Sequence, residues 1–191
     1  MSRKKLFLII GAPGSGKTTD CEVIASRHDE ITHYSAGDMF RAEVATGSER
    51  GQLIKSIIDR GEIVPIDIAI ETIVGAIKQA PTEAVIIDGY PRSIEQMEAL
   101  DAYLAGEPEV TLANVIEVVV SEAVARDRVL GRARGADDNE AVFVRRMSVY
   151  VEPLADIQRF YTQKGLLHKI NGERELAQVA DEMQAYIESL I

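Results

Sequence analysis

Along this chain, uninterrupted apolar runs take turns with stretches in which apolar residues recur every three or four positions. The first kind marks strands buried on both faces, the second amphipathic helices. Lys5–Ile10 reads as a buried strand, followed by a helix from about Gly16 to Arg27 and a short second strand over Ile31–Ser35. Residues 37–80 hold three helical stretches and no convincing strand. "EAVIIDG" (83–89) is a third strand, and Ser93 opens a helix to Leu104 as a serine cap. "NVIEVVV" (114–120) is a fourth strand, with a helix after it through Leu130. A long helix spans about 139–163, with Pro153 as a bend. Leu166–Ile170 is a fifth strand, and "ERELAQVADEMQAYIESL" (173–190) closes the chain as an amphipathic helix. The alternation predicts an α/β fold on a five-stranded parallel sheet flanked by helices.

Two segments break the rhythm. Residues 36–65 place helices where a simple strand–helix–strand unit needs one, and "GRARGADDNE" (131–140) is polar and glycine-punctuated between two helices. Both read as excursions from the sheet's edge that cover a site. The length of 191 residues fits one domain with insertions. A formal net charge of −10 argues against a nucleic-acid binder. The single cysteine, Cys21, excludes an internal disulfide and a cysteine-cluster zinc site. The basic start and short apolar run of "MSRKKLFLII" fall short of a signal peptide, and no stretch has the length of a membrane span. A cytoplasmic protein is expected.

"GAPGSGKT" (11–18) fits G-x-x-x-x-G-K-[ST] with a strand before it and a helix after it. Glycines let backbone N–H groups converge on phosphate oxygens, and the helix adds its positive N-terminal end. Lys17 supplies a point charge for the outer phosphates, and Thr18 is placed to meet magnesium. Asp88 ends an apolar strand, where an acid can face magnesium or its waters. Gly89 and Pro91 set a tight turn after it, Arg92 begins the next helix, and Gln96 lies one turn on. Six of the fourteen arginines (Arg126, Arg128, Arg132, Arg134, Arg145 and Arg146) fall within 126–146, where no lysine occurs. Such a choice favours the bidentate grip of guanidinium on phosphate. Arg126 and Arg145 are assigned instead to a solvated face.

"GAPGSGKTTD", "SAGDMFRAE", "GEIVP", "DGYPRSIEQ", "GRARGADDNE" with "RRMSVY", and "INGERE" resemble the adenylate kinases in order and spacing, across essentially the whole chain. The short-lid bacterial form is the nearest pattern. The resemblance implies a P-loop kinase fold with its core in 1–34, 66–130 and 138–191. It implies a nucleoside monophosphate-binding insertion at about 35–64 and a short lid at about 131–137. It implies that Gly14, Ser15, Gly16, Lys17, Thr18 and Thr19 hold ATP phosphates, with Arg132 and the backbone near Arg174 completing that site. Ala36, Arg41, Glu62, Ile63, Val64, Gly89, Tyr90, Pro91, Arg92 and Gln96 would form the AMP pocket, with Gln96 reading adenine. Arg134 and Arg146 would act on the transferring phosphates beside AMP. Lys17, Arg92, Arg128, Arg132, Arg134 and Arg146 make up the implied catalytic set, and Thr18 and Asp88 would serve Mg2+, through water. No zinc is expected, and a monomer using ATP, AMP and ADP is implied, without nucleic-acid or membrane partners. His28, His33 and His168 match no functional position and read as structural.

Three departures stand out. Thr18 occupies a position where many members have glycine, the long zinc-binding lid is missing, and Ala36 stands where threonine or serine is usual near the AMP base. The expected reaction is reversible transfer of the ATP γ-phosphoryl group to AMP. The acceptor oxygen is already largely anionic at neutral pH, so positioning and charge neutralisation suffice. A pyrimidine monophosphate kinase is the nearest alternative, and a GTPase-type switch a more distant one. The D-x-x-G and [NT]-K-x-D motifs of such a switch do not occur.

Overall fold

A computed structural model of the protein describes residues 3–132 and 138–191. Its strands are β1 (Lys4–Gly11), β2 (Ile31–Ser35), β3 (Ala84–Asp88), β4 (Val110–Val119) and β5 (Leu167–Asn171). They form one parallel sheet in the order β2-β3-β1-β4-β5. The helices are α1 (Lys17–Arg27), α2 (Ala36–Ala45), α3 (Glu49–Ile58), α4 (Ile66–Gln79), α5 (Ile94–Ala105), α6 (Glu122–Arg132), α7 (Glu140–Gln163) and α8 (Leu176–Glu188).

The continuous apolar character of β1 has a direct cause: both faces of the sheet are covered. Leu6, Leu8 and Ile10 point into a core with Ile73 and Ile77 of α4, Leu100 of α5 and Ile157 of α7. Phe7 and Ile9 point the other way, into a core with Cys21 and Ile24 of α1 and Val179 and Met183 of α8. A side chain of this kind contributes about 1.5–3 kcal/mol when fully buried, so β1 alone anchors both layers.

Five strands and their parallel order match the sequence expectation. β4 begins at Val110 rather than Asn114, because 110–112 pair with Lys4–Leu6 before a register shift between Leu6 and Phe7. Those residues alternate weakly in hydropathy, so periodicity alone does not reveal them. The last helix starts at Leu176, after a loop in which Asn171 Oδ1 accepts the Glu173 N–H at 3.0 Å. Pro153 lies inside α7, which continues as one element on both sides of it. The serine caps are present: Ser93 accepts the Gln96 N–H, and Ser35 and Ser48 cap α2 and α3 in the same way.

The order of strands positions the site. β1 and β3 are neighbours, with Ile9 opposite Asp88, and β2 places Ser35 opposite Asp88 as well. The chain leaves these C-terminal edges in opposite directions, and ligands of open α/β sheets bind in such crevices.

Candidate active site

The loop after β1 turns on glycines that cannot be replaced in place. Gly14 and Gly16 have φ of 79° and 88°, and a Cβ on Gly14 would approach Ala125 O of α6 to 2.4 Å. Gly16 occupies the cap position of α1 without a side-chain cap, so the first-turn amides face the loop's concavity. Ser15 is buried in the loop, while Thr18 and Thr19 remain partly exposed. Arg128 braces the loop from behind. Its guanidinium donates to Ser15 O at 3.1 Å and Gly172 O at 3.0 Å, with Gly14 O at 3.5 Å. It therefore joins the loop to the turn after β5.

Lys17 opens into the crevice among several cations. Burial pulls its pKa down to about 7; the charges of Arg92, Arg146 and Arg132 add to the fall, and Asp88 opposes it. This list of neighbours shows that arginines far apart in sequence converge on one lysine. Asp88, at the end of β3, accepts from Thr18 Oγ1 at 2.8 Å and from His33 Nε2 at 2.6 Å. Burial acts to raise its pKa, but the His33 hydrogen bond, the Lys17 charge and the Thr18 hydroxyl outweigh it and hold the carboxyl below its usual range. His33, expected to be structural, hydrogen-bonds Asp88, the candidate magnesium carboxylate. The signal that finds it is positional. His33 lies two residues before the end of β2, and Asp88 ends the neighbouring strand in register with Ser35.

A cleft of roughly 930 Å³, counted to its open mouth, runs from Gly11, Pro13 and Lys17 to the helical excursion. Its wall carries Arg41, Glu62, Ile63, Val64, Gly89, Tyr90, Pro91, Arg92, Gln96 and Arg146. Arg92 is fixed by a hydrogen bond from Nε to Gly89 O at 2.9 Å. Burial lowers its pKa from the ordinary guanidinium value, with the Arg41 charge adding to this and Asp88 opposing it. Gln96 is 3% exposed, and its Oε1 accepts the Arg92 N–H at 2.7 Å. Tyr90 is buried and donates from its hydroxyl to Gln96 O at 2.6 Å, which fixes the start of α5 under the cleft. Arg41 is held by Asp38 at 2.7 Å, and Glu62 pairs with Arg60 at 3.1 Å. Val149 and Tyr150 of α7 also line the cleft; they stand in "RRMSVY", which carries the family resemblance, although no site role was expected of them.

Ala36 is placed differently from expectation. It is 1% exposed and belongs to the core cluster of Leu8, Ile10 and Tyr90, beneath the cleft rather than on its wall. Of the remaining arginines, Arg132 makes a bidentate pair with Asp138 (3.0 and 2.9 Å), and Arg146 approaches the same carboxylate at 3.8 Å. Arg126 pairs with Glu140 on the surface and Arg145 is exposed, as expected of a solvated face. Arg174 is held by Asn171 O and Glu182 at the turn after β5. Arg134 lies outside the described residues, as does most of the expected lid at 131–137. Among the described residues, no helix is long and apolar enough to cross a membrane.

The family model described as adenylate kinase matches residues 9–166 of this chain. The chain is 64% identical over 187 residues to an adenylate kinase of Wolinella succinogenes, covering 97% of this chain and 98% of that protein. It is 63% identical to one of Nautilia profundicola, covering 96% of each. An adenylate kinase of Helicobacter hepaticus is 60% identical, over 96% of this chain and 97% of that protein.

Proposed function

The chain belongs to the adenylate kinase family, and on that premise we propose how its own residues carry the reversible transfer of the γ-phosphoryl group of ATP to AMP, giving two ADP. One observation supports the assignment of roles above others. A polyphosphate loop ending in Lys17 opens into the same cleft as Arg41, Arg92 and Gln96. A donor and a monophosphate acceptor thus face each other.

Gly14, Ser15, Gly16, Lys17, Thr18 and Thr19 hold the ATP phosphates through converging N–H groups and one ammonium. Arg41 and Arg92 grip the AMP phosphate; Glu62, Ile63, Val64, Gly89, Tyr90 and Pro91 wall its pocket. Gln96 offers its Nε2 to an adenine ring acceptor, while Oε1 keeps a second lone pair for the exocyclic amine. Arg132, Arg134 and Arg146 neutralise charge on the moving phosphoryl group, and the backbone near Arg174 borders the ATP base. Arg128 positions the loop through the three carbonyls it holds.

Thr18 and Asp88 offer only oxygens toward the crevice, a donor set that suits Mg2+, which keeps several waters. When bound, that ion would neutralise the β- and γ-phosphate oxygens. The insertion at about 35–64 closes over AMP and the lid at about 131–137 over ATP, excluding water that would otherwise take the phosphoryl group. The protein acts in the cytoplasm as a monomer.

Turnover with ATP against AMP, CMP, UMP and GMP tests this reading. AMP is strongly preferred, because a site built to hydrogen-bond adenine rejects bases that leave its groups unpaired. A kcat/KM for UMP equal to that for AMP would overturn the role of Gln96.

A further inference from the structure

The floor of the site carries, beside the Asp88 carboxylate, two donors that magnesium has no use for. Cys21 Sγ, a ring nitrogen of His33 and a carboxylate oxygen of Asp88 all lie within 4.8 Å of one another. They come from three elements. Cys21 is one turn into α1, His33 lies in the middle of β2, and Asp88 ends β3. His33 pairs with Ile86, so His33 and Asp88 project from the sheet on the side where Ile86 packs with Cys21. Cys21 and Asp88 are buried, and the His33 side chain is 8% exposed.

Core packing accounts for a small thiol among Ile24, Ile86 and Met183. It does not account for the meeting of one sulfur, one imidazole and one carboxylate at a single point. A hard cation takes oxygen ligands, whereas thiolate, imidazole and carboxylate together suit zinc. Tetrahedral zinc with ligands at about 2.0–2.3 Å requires the widest pair to close by only about 1 Å, and it leaves a fourth position open.

We propose that Cys21, His33 and Asp88 capture one divalent cation of the zinc class, and that capture inhibits phosphoryl transfer by withdrawing Asp88 from magnesium. The Cys21 sulfur bonds to the cation as its proton leaves to solvent, and His33 exchanges its hydrogen bond to Asp88 for a bond to the metal. Zinc is therefore not a requirement of activity but an antagonist of it. The inhibitory half rests on the reading of Asp88 as the magnesium carboxylate; the binding half does not.

The experiment uses the full chain without nucleotide and cobalt as an optical probe. One equivalent of Co2+ gives a thiolate-to-metal charge-transfer band and the intense visible absorption of tetrahedral cobalt. Cys21→Ala abolishes the charge-transfer band. His33→Gln, which keeps a donor for Asp88, weakens binding by more than the roughly 10–100-fold that loss of an outer hydrogen-bond partner costs a metal site. Zinc raises the Tm of the wild-type protein and leaves that of Cys21→Ala unmoved. In turnover at fixed Mg2+, ATP and AMP, buffered zinc inhibits the wild type, and Cys21→Ala, with basal activity retained, resists it. A silent cobalt titration, or the same spectrum in Cys21→Ala, overturns the site and leaves the reading of Asp88 standing. Cobalt bound through Cys21 with equal zinc sensitivity in both proteins overturns inhibition through this site and leaves the reading of Asp88 standing.

Discussion

Arg92 and Arg146 both press their charge on Lys17, yet they are held by different means. Arg92 is locked to Gly89 O in the proposed acceptor pocket, while Arg146 projects from α7 toward Asp138. Arg92→Ala should therefore mainly raise KM for AMP. Arg146→Ala should mainly lower kcat, if its charge acts on the moving group as proposed. Lysine at 146 should recover little, because the fork geometry is lost. Arg126→Ala, which among the described residues breaks a surface pair with Glu140, is the control; steady-state kinetics on the four variants separates the roles. Asp20 illustrates a cost at this scale. It is buried beside the loop, and burial raises its pKa to about 7 even though the Arg128 charge opposes this. The folded chain thus binds the Asp20 proton more tightly than the unfolded one, whose carboxyl titrates near 4. Stability from this group is fully present below about pH 4 and is lost as pH rises toward 7. Asp20→Asn should raise Tm at pH 8 by roughly 2–4 °C, discounting the shift to about 1 kcal/mol for screening, and change it little at pH 4. Thermal melts at the two pH values decide this; an equal gain at both would refute it.

At the scale of elements, α2 and α3 depend on one close approach. A Cβ on Gly51 would meet Glu43 O at 2.4 Å, so only glycine lets the two helices sit at this distance. Gly51→Ala should force them apart at a cost of about 1–3 kcal/mol. The pair supplies Arg41 and Ile58 to the acceptor side of the cleft. KM for AMP should therefore rise several-fold, on the order of what one of those kcal/mol implies, while KM for ATP stays put. A matching rise in KM for ATP would show that the excursion serves both nucleotides. The cap of α5 was readable in advance: Ser93 stands just before the helix and accepts an N–H three residues on. The start of β4 was not, because its first three residues are chosen by pairing with β1 rather than by their own alternation.

Over the whole molecule, reaction requires both nucleotides to be enclosed together, because the cleft is open enough to admit water. No base is needed for an acceptor oxygen that is already largely anionic, and Asp88, held below its usual range by His33, Lys17 and Thr18, is a weak one. Removal of magnesium with EDTA should abolish turnover, and added Mg2+ should restore it. A zinc-selective chelator should not lower turnover in the same coupled assay, since the zinc chemistry assigned to Cys21 is inhibitory. A fall in activity with that chelator would contradict both statements.

What the chain determined by itself is local and periodic. Continuous apolar runs alternating with helical patterns point to a doubly covered parallel sheet, and the glycines of "GAPGSGKT" mark the loop after β1. The arginine cluster between 126 and 146 announces an anionic ligand, whereas Arg92 and Gln96, one turn apart by spacing, share no helix face: Arg92 precedes the cap Ser93 and meets Gln96 Oε1 through its backbone N–H. The tertiary structure decided everything that depends on which strand lies beside which. The placing of β3 between β1 and β2 sets Asp88 against Thr18 and His33, residues 70 and 55 positions away. The covered face of the sheet takes Ala36 into the core and leaves Val149 and Tyr150 of a distant helix to wall the cleft. Crossing of α6 behind the loop gives Arg128 to three backbone carbonyls. Periodicity describes which face a residue takes, but only the register between strands says what it meets there.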